Sequence, residues 1–552
     1  GQVGAVNVTS NFGIVTGNSK NSGIFADGVI AQSITYGGGS FGLVHQTSAS
    51  AGNGSLDFLL GAINMGTSVN AQPVTVTVTD ITTSGYGASA VTAQSIGGGG
   101  GLLGYYVPQG SISGSGTLGG YGNGHGSDGS QVTVTVNGYI TTNADMSPMI
   151  VAQSIGGGGG RVVGNASIYQ DMPGIKLGDT YSNGDSRAVT VTTNYPLASG
   201  GNNSPGIIAQ SIGGGGGILN YSTSSWSNVQ FGGNNSSSDS VVVTTNGSIK
   251  TLGYGSFGIL AQSIAGGGGF ASMNGTATFG SPTTSGGYNA GNVTVTNNAV
   301  INTTQNASPG IIAVSIGGGG GVAVLPQDSV VSYGLNKGSG NGGDVVVNVN
   351  ANINTSGNGS DGVDAMSIGG GGGLMLYNNG LLVEGGAGRG TAGEISVSVA
   401  PNVYILTGGA GSTAIRVMQV NGRDDPVVNI APGAVVIGGP GGAGVSISGA
   451  INHVNNNGYL GTYDGINGRS IVSLSGSTTV NNSGISVGDI RLAGAGNVIN
   501  NLSAGRMYVI NHPDIGVDGV LNNSGYLQYN PSGFSNTGVM NHTGTLMQSS
   551  TG

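Results

Sequence analysis

Acidic residues are scarce enough here that any pair of them invites a chemical reading, since Asp and Glu number 21 and Lys and Arg 12 in 552 residues. Asp361 and Asp364 sit within one short stretch, and Asp424 and Asp425 directly follow Arg423. Two or three carboxylates gathered on one face, with an Arg or Lys beside them, are what glycan hydrolysis or lysis needs for proton transfer. Neither pair has a second acidic cluster one period away along the chain. Arg423-Asp424-Asp425 reads as a turn. A polysaccharide-degrading enzyme is thus the rival reading, and a non-enzymatic protein the leading one.

Other chemistry is sought and not found. His45, His125, His453, His512 and His542 are isolated from one another and make no ligand pair at metal spacing, so no metal is expected. The stretch around Asp128 has the Gly-rich look of a calcium-binding turn, but such turns work in tandem and this one occurs once, so a polar loop is expected. Runs of glycine could cradle a phosphate, yet none leads into Lys-Ser or Lys-Thr and no helix is expected behind them. No cofactor is expected.

The elements that would position any site are strands. Glycine supplies 117 residues and charged residues only 6%, while 37% are hydrophobic and gather into β-branched strings such as Val74-Thr75-Val76-Thr77-Val78. No stretch sustains a helical apolar period, so the fold class is all-β. A net charge of -9 offers no basic stripe for phosphates, which excludes nucleic acid as a partner. Cysteine is absent, so stability does not depend on the redox compartment. No apolar run reaches the length of a membrane span, and Gly1 opens without a signal segment, so a secreted form would be mature or trimmed.

Self-similarity organises the chain. A block, best seen as Ser204-Pro205-Gly206-Ile207-Ile208-Ala209-Gln210-Ser211-Ile212 followed by Gly213 to Gly217, recurs with its serine at Ser33, Ser95, Ser154, Ser211, Ser263, Ser315 and Ser367. The spacings shrink from 62 through 59 and 57 to a repeated 52, and a decayed copy follows at Ile415 to Val420. An alternating strand precedes each block, and short apolar fragments lead from each glycine run into a variable loop. Such periodicity predicts a right-handed parallel β-helix, a β-solenoid of about 52 to 62-residue glycine-rich repeats over residues 1–423. Over residues 424–552 the grammar changes to coils with Asn-Gly turns, where Asn482, Asn501 and Asn523 are spaced by 19 and 22. Asn and Gly suit such corners because both tolerate positive φ.

Substitutions between copies predict which way side chains point. Four and two residues before the serine the chain keeps Val or Ile and then Ala or Val, which face the core. Three before, the set Ile30, Thr92, Val151, Ile208, Leu260, Ile312, Asp364 and Arg416 suggests solvent. One before, Gln32, Gln94, Gln153, Gln210 and Gln262 suggest an outer amide ladder bonded rung to rung, rather than a ligand-reading column. The Ile after the serine breaks the alternation and suggests an inward bend. Asp364 and Arg416 should form an exposed ion pair if consecutive units are consecutive rungs. The glycine runs, which include Gly97, Gly156, Gly215, Gly266, Gly319 and Gly371, should make a bare strip that another backbone approaches. That backbone is either the unit's own downstream strand or a neighbouring molecule.

The Gly-Ile-Ile-Ala-Gln-Ser-Ile-Gly-Gly-Gly-Gly-Gly block with its upstream Val-Thr-Val-Thr strand resembles the repeats of glycine-rich autotransporter passengers. The Asn-Asn-Ser-Gly coils resemble the passenger segment before the membrane barrel. The resemblance spans nearly the whole chain and implies export, passage through an outer-membrane pore and folding at the cell surface. No barrel follows Gly552, so the resemblance implies either that cleavage released the passenger or that the barrel was left off. The expected role is adhesion, self-association or extracellular matrix and filament formation, with itself or a host or abiotic surface as partner. A passive spacer is the further alternative.

Overall fold

The computed structural model describes residues 3–19, 22–44, 54–55, 58–61, 68–107, 112–113, 115–119, 126–166, 172–178, 184–233, 236–280, 287–325, 329–333, 339–377, 380–385, 388–510, 513–529, 539–542 and 545–548. It is all-β, with parallel strands in stacked sheets, consistent with a β-solenoid. Among the described residues no helix is long and apolar enough to cross a membrane.

Each unit contributes three short strands to three walls. In one unit these are Val241–Thr245, Ile249–Thr251 and Ile259–Ile264. Each pairs in parallel with its equivalent in the next unit, Val293–Asn297, Ile301–Thr303 and Ile311–Ile316. Alternation turns Val241, Val243, Ile249, Ile259 and Ala261 inward, and all are fully buried in one core that runs the length of the chain. Each buried Val or Ile contributes roughly 1.5–3 kcal/mol, and only stacking supplies the burial.

The block strands all lie in the third wall, with the serines in register from Ser33 through Ser367 and Gln419 in the next rung. Beyond the first rung their outer face is not solvated. Val151, Ile208, Leu260, Ile312 and Asp364 are fully buried, and so are Thr92, Gln94, Gln153, Gln210 and Gln262. The chain leaving each glycine run doubles back as a further strand, such as Gly216–Phe231 or Gly268–Phe279, and these strands form a sheet over the third wall. Ile218, Phe270 and Val322 of that sheet pack against Ile208, Leu260 and Ile312 in a second core. The expected solvent face is therefore an interlayer. Ile264, Ile316 and Ile368 belong to that same outer face, so the alternation is unbroken and no inward bend occurs.

A third apolar layer lies beyond. Leu219, Ala271 and Ala323 point away from the wall and pack with Phe231, Phe279 and Tyr333 from the returning segments. Phe231 and Phe279 stack at 4.4 Å between ring centroids, and Tyr333 continues the column at 5.5 Å. What the sequence presents as variable loop is here partly paired strand.

From Val427–Ile430 onward the glycine strand is dropped, and long strands such as Val445–Asn456 and Arg469–Asn482 run from the third wall directly into the first. Hydrogen-bonded rung partners, 52 residues apart at Gln210 and Gln262, fall to 26 at Asn429 and Asn455, 19 at Asn481 and Asn500, and 22 at Asn500 and Asn522. The Asn corners form differently from expectation. Asn481, Asn482, Asn500, Asn501, Asn522 and Asn523 end strands without positive φ. They are held by two amide ladders, an outer one through Asn455, Asn481, Asn500 and Asn522 and a buried one through Asn456, Asn482, Asn501 and Asn523. Gly484 and Gly525 follow because an added Cβ would strike the carbonyls of Gly458 and Gly505.

Candidate functional site

The block serine is a stitch between coils. Ser263 Oγ donates to Asp239 O at 2.8 Å in its own unit and accepts from Gly291 N at 2.8 Å in the next. Ser315 repeats this with Gly291 O at 2.9 Å and Gly343 N at 2.7 Å. At the decayed copy, Gln419 Nε2 reaches Gly393 O at 2.8 Å in place of the hydroxyl. Each bond satisfies a backbone group in the short segment that leads into a first-wall strand.

The glutamines do form a ladder, each donating to the next at 2.7 Å from Gln32 through Gln94, Gln153 and Gln210 to Gln262. It runs inside the interlayer rather than on the surface, which leaves no ligand access to Gln94, Gln153, Gln210 or Gln262. The ladder ends where Val314 replaces Gln, and there Gln262 Nε2 turns towards Gly269 O at 3.4 Å. Buried amides need this continuity, because an unmade bond costs about 1–3 kcal/mol.

Glycine runs pack internally in the described residues. Gly97, Gly156, Gly215, Gly319 and Gly371 are buried and Gly266 is half-buried, so the strip expected to lie bare is covered. A Cβ at Gly97 or Gly156 would strike Ser127 O or Gly184 O, and at Gly266 it would come within 3.2 Å of Gly319 N. Gly215 and Gly319 have φ of +89° and +87°, and a Cβ on them would lie 2.8 Å from Gly178 Cα and 3.0 Å from Gly280 Cα. The nearest approaching backbone is the chain's own, from neighbouring rungs and from the returning segments.

Asp364 and Arg416 are neighbours, with Oδ1 and Nε 3.5 Å apart across adjacent rungs. The pair is not exposed: the Asp364 side chain is fully buried and that of Arg416 only 14% exposed. Sequence reasoning missed the stronger partner, Asp361, whose Oδ2 lies 2.7 Å from Arg416 Nε. Two carboxyls thus share one guanidinium, and burial, then the charge of Asp361, pushes Asp364 well above the usual carboxylate range. Buried from solvent, these carboxyls have no open path to a glycan.

A second buried charge cluster occupies the other end of the interlayer. Arg161 stands in its column between Leu102 and Ile218, 3.7 Å from Asp27, with both side chains fully buried. Arg161 donates to Gly87 O and Met146 O, while Asp27 accepts from Ser89 N at 2.7 Å and Thr92 Oγ1 at 2.6 Å. Burial raises the Asp27 carboxyl and lowers the Arg161 guanidinium, each partly offset by the other. Asp27 and Asp361 sit equally far before their block serines, Ser33 and Ser367, and that coincidence was readable from the sequence.

Of the remaining candidates, Asp128 joins a surface corner, paired with Arg187 at 3.1 Å and accepting from Asp185 N. His453 lies 3.4 Å from Asp425 on the surface. His45, His125, His512 and the His542 side chain lie outside the described residues. No group of three or more His, Asp or Glu able to hold a metal occurs among the described residues.

The exposed face of the first wall carries the most regular surface. One outward column passes through six threonines from Thr9 to Thr296, then Asn348, Ser398 and five asparagines from Asn429 to Asn522. At the adjoining corner, exposed Asn194, Asn246, Asn298 and Asn350 form a further ladder from Asn137 at 2.8–2.9 Å. No protein-family model, curated protein or solved structure matches the chain. Chemically the face is an uncharged array of hydroxyls and amides, repeated about every 4.8 Å over roughly 55–60 Å.

Proposed function

We propose that this chain is a non-enzymatic structural or adhesive protein of the autotransporter-passenger type, secreted or held at a bacterial cell surface, built as a right-handed parallel β-helix of about 52 to 62-residue units. The observation that carries the reading is the outward Thr and Asn column, in register from Thr9 to Asn522. A repeated neutral array suits weak contacts made many times with another repetitive surface, a second copy included, because linked contacts raise avidity without any single strong site. The block and Asn-Gly resemblance supports export.

The test displays the chain on cells that do not clump by themselves. Wild type should drive settling, and Thr135→Lys, Thr192→Lys and Thr296→Lys together should reduce it several-fold through like-charge repulsion, with unfolding shifted little because surface changes cost about 0.5 kcal/mol or less. Unchanged settling, or none with wild type, would overturn the adhesive reading. Release of reducing ends from polyuronides or other glycans would overturn the non-enzymatic one.

A further inference from the structure

The glycine sheet treats its two edges differently. After Gly372–Tyr377 the chain folds back as Gly380–Gly385 in antiparallel pairing, so the last glycine strand is covered and a hairpin strand forms that edge instead. At the other edge, Gly38–Val44 pairs only with Gly100–Val107, and Val29–Ile34 only with Val91–Ile96, among the described residues. An open strand edge is a template for another chain, and folds commonly cover or charge it.

Side chains at this edge are set for one kind of neighbour. Gln32 donates to Gln94, as the following glutamines do to theirs, but among the described residues its own Oε1 has no donor. A Cβ at Gly101, Gly160 or Gly217 would strike the glycine carbonyl of the preceding rung, at Gly39, Gly101 or Gly160. Gly39 has nothing within 4 Å of that position among the described residues, yet keeps φ at +133°, a backbone that only glycine holds without strain. Ile30 and Phe41, 40% and 44% exposed, stand in the columns where Val151 and Leu219 are fully buried.

We propose that the coil formed by Val29–Ile34 and Gly38–Val44 is an acceptor for a parallel strand of this chain's own block chemistry, an apolar-Ala-Gln-Ser-Ile segment running into glycines. Its Gln side-chain amide would donate to Gln32 Oε1, its bare glycines would fit against Gly39, and its apolar side chains would cover Ile30 and Phe41. A second folded copy cannot supply this. Two such ends meeting head to head would run antiparallel, and the far end carries neither the ladder nor an open glycine strand. An acceptor end of this kind would exist on an inert spacer as well as on an adhesin, so it does not depend on the adhesive role.

The experiment titrates the full chain into a fluorescent synthetic peptide copying residues 206–219. Saturable one-to-one binding is expected, with none for a scrambled peptide. Ile30→Lys with Phe41→Lys, both exposed and so tolerated by the fold, should weaken binding at least about tenfold. Val330→Lys, 59% exposed elsewhere, should bind as wild type does. Far-ultraviolet circular dichroism and the thermal midpoint verify that each variant is folded. Absence of saturable binding, equal binding of the scrambled peptide or equal affinity in the edge variant would each overturn the proposal. Dimerisation of the wild type that the peptide cannot displace would overturn it too, by assigning the edge to a second copy.

Discussion

Asp364 shows how one carboxyl in the interlayer can make stability depend on pH. Burial, then the neighbouring Asp361, raises it well above the usual range, so the fold favours its protonated form. A group with a raised folded pKa contributes stability that is fully present below the unfolded value, near pH 4, and lost as pH rises through the folded one. Asp364→Asn keeps the shape and has no proton to lose. Its thermal midpoint should match wild type at about pH 4 and exceed it increasingly towards about pH 8. A constant difference across that range would show that Asp364 ionises as readily folded as unfolded. Arg161 presents the opposite risk, since removing it alone would strand Asp27, whereas paired buried charges can be replaced together by apolar residues at little cost.

The decisive element is the glycine strand. Its residues were legible as a demand for missing side chains, but not what makes the demand. Four consecutive positive φ values at Gly214 to Gly217, and backbone close on both sides, are the reason. Gly215→Val and Gly319→Val should each destabilise by at least roughly 1–3 kcal/mol from backbone strain alone, and more from collision. Thermal unfolding of the purified chain measures this. Val variants with an unchanged midpoint would mean that the strand can move away, and that the approach is incidental. The misread faces of the block belong here too. Alternation identifies two faces of a strand, and the Val, Ala and Ser positions did face the main core, but Asp364, Arg416 and the glutamines looked solvated because polar residues usually are.

As a whole molecule the chain is nearly one-dimensional, since each coil touches its neighbours and little else. Excising residues 241–292 would join Ser240 to Val293 and remove one unit, matching the 52-residue offset between rung partners. The shortened chain should keep a cooperative β-rich fold and lose about 5 Å of length by small-angle scattering. The stability lost should be that of one coil and no more, because Gln210 would then face Val314 as Gln262 does in the wild type, which leaves the ladder with a single end as before. Collapse of cooperativity would show that units are not interchangeable.

The sequence by itself determined the strands, their parallel register and the inward columns, because in-register stacking of like residues shows directly as periodic identity. Ser33 to Ser367 and the Asn coils were readable in that way. The tertiary structure alone decided what covers the outer face, that Arg416 prefers Asp361 to Asp364, and that Asn482 and Asn501 hold their corners by ladders rather than by positive φ. Periodicity records which residues share a column, but burial depends on where the chain goes after the glycines, and nothing periodic within the wall strands encodes that return.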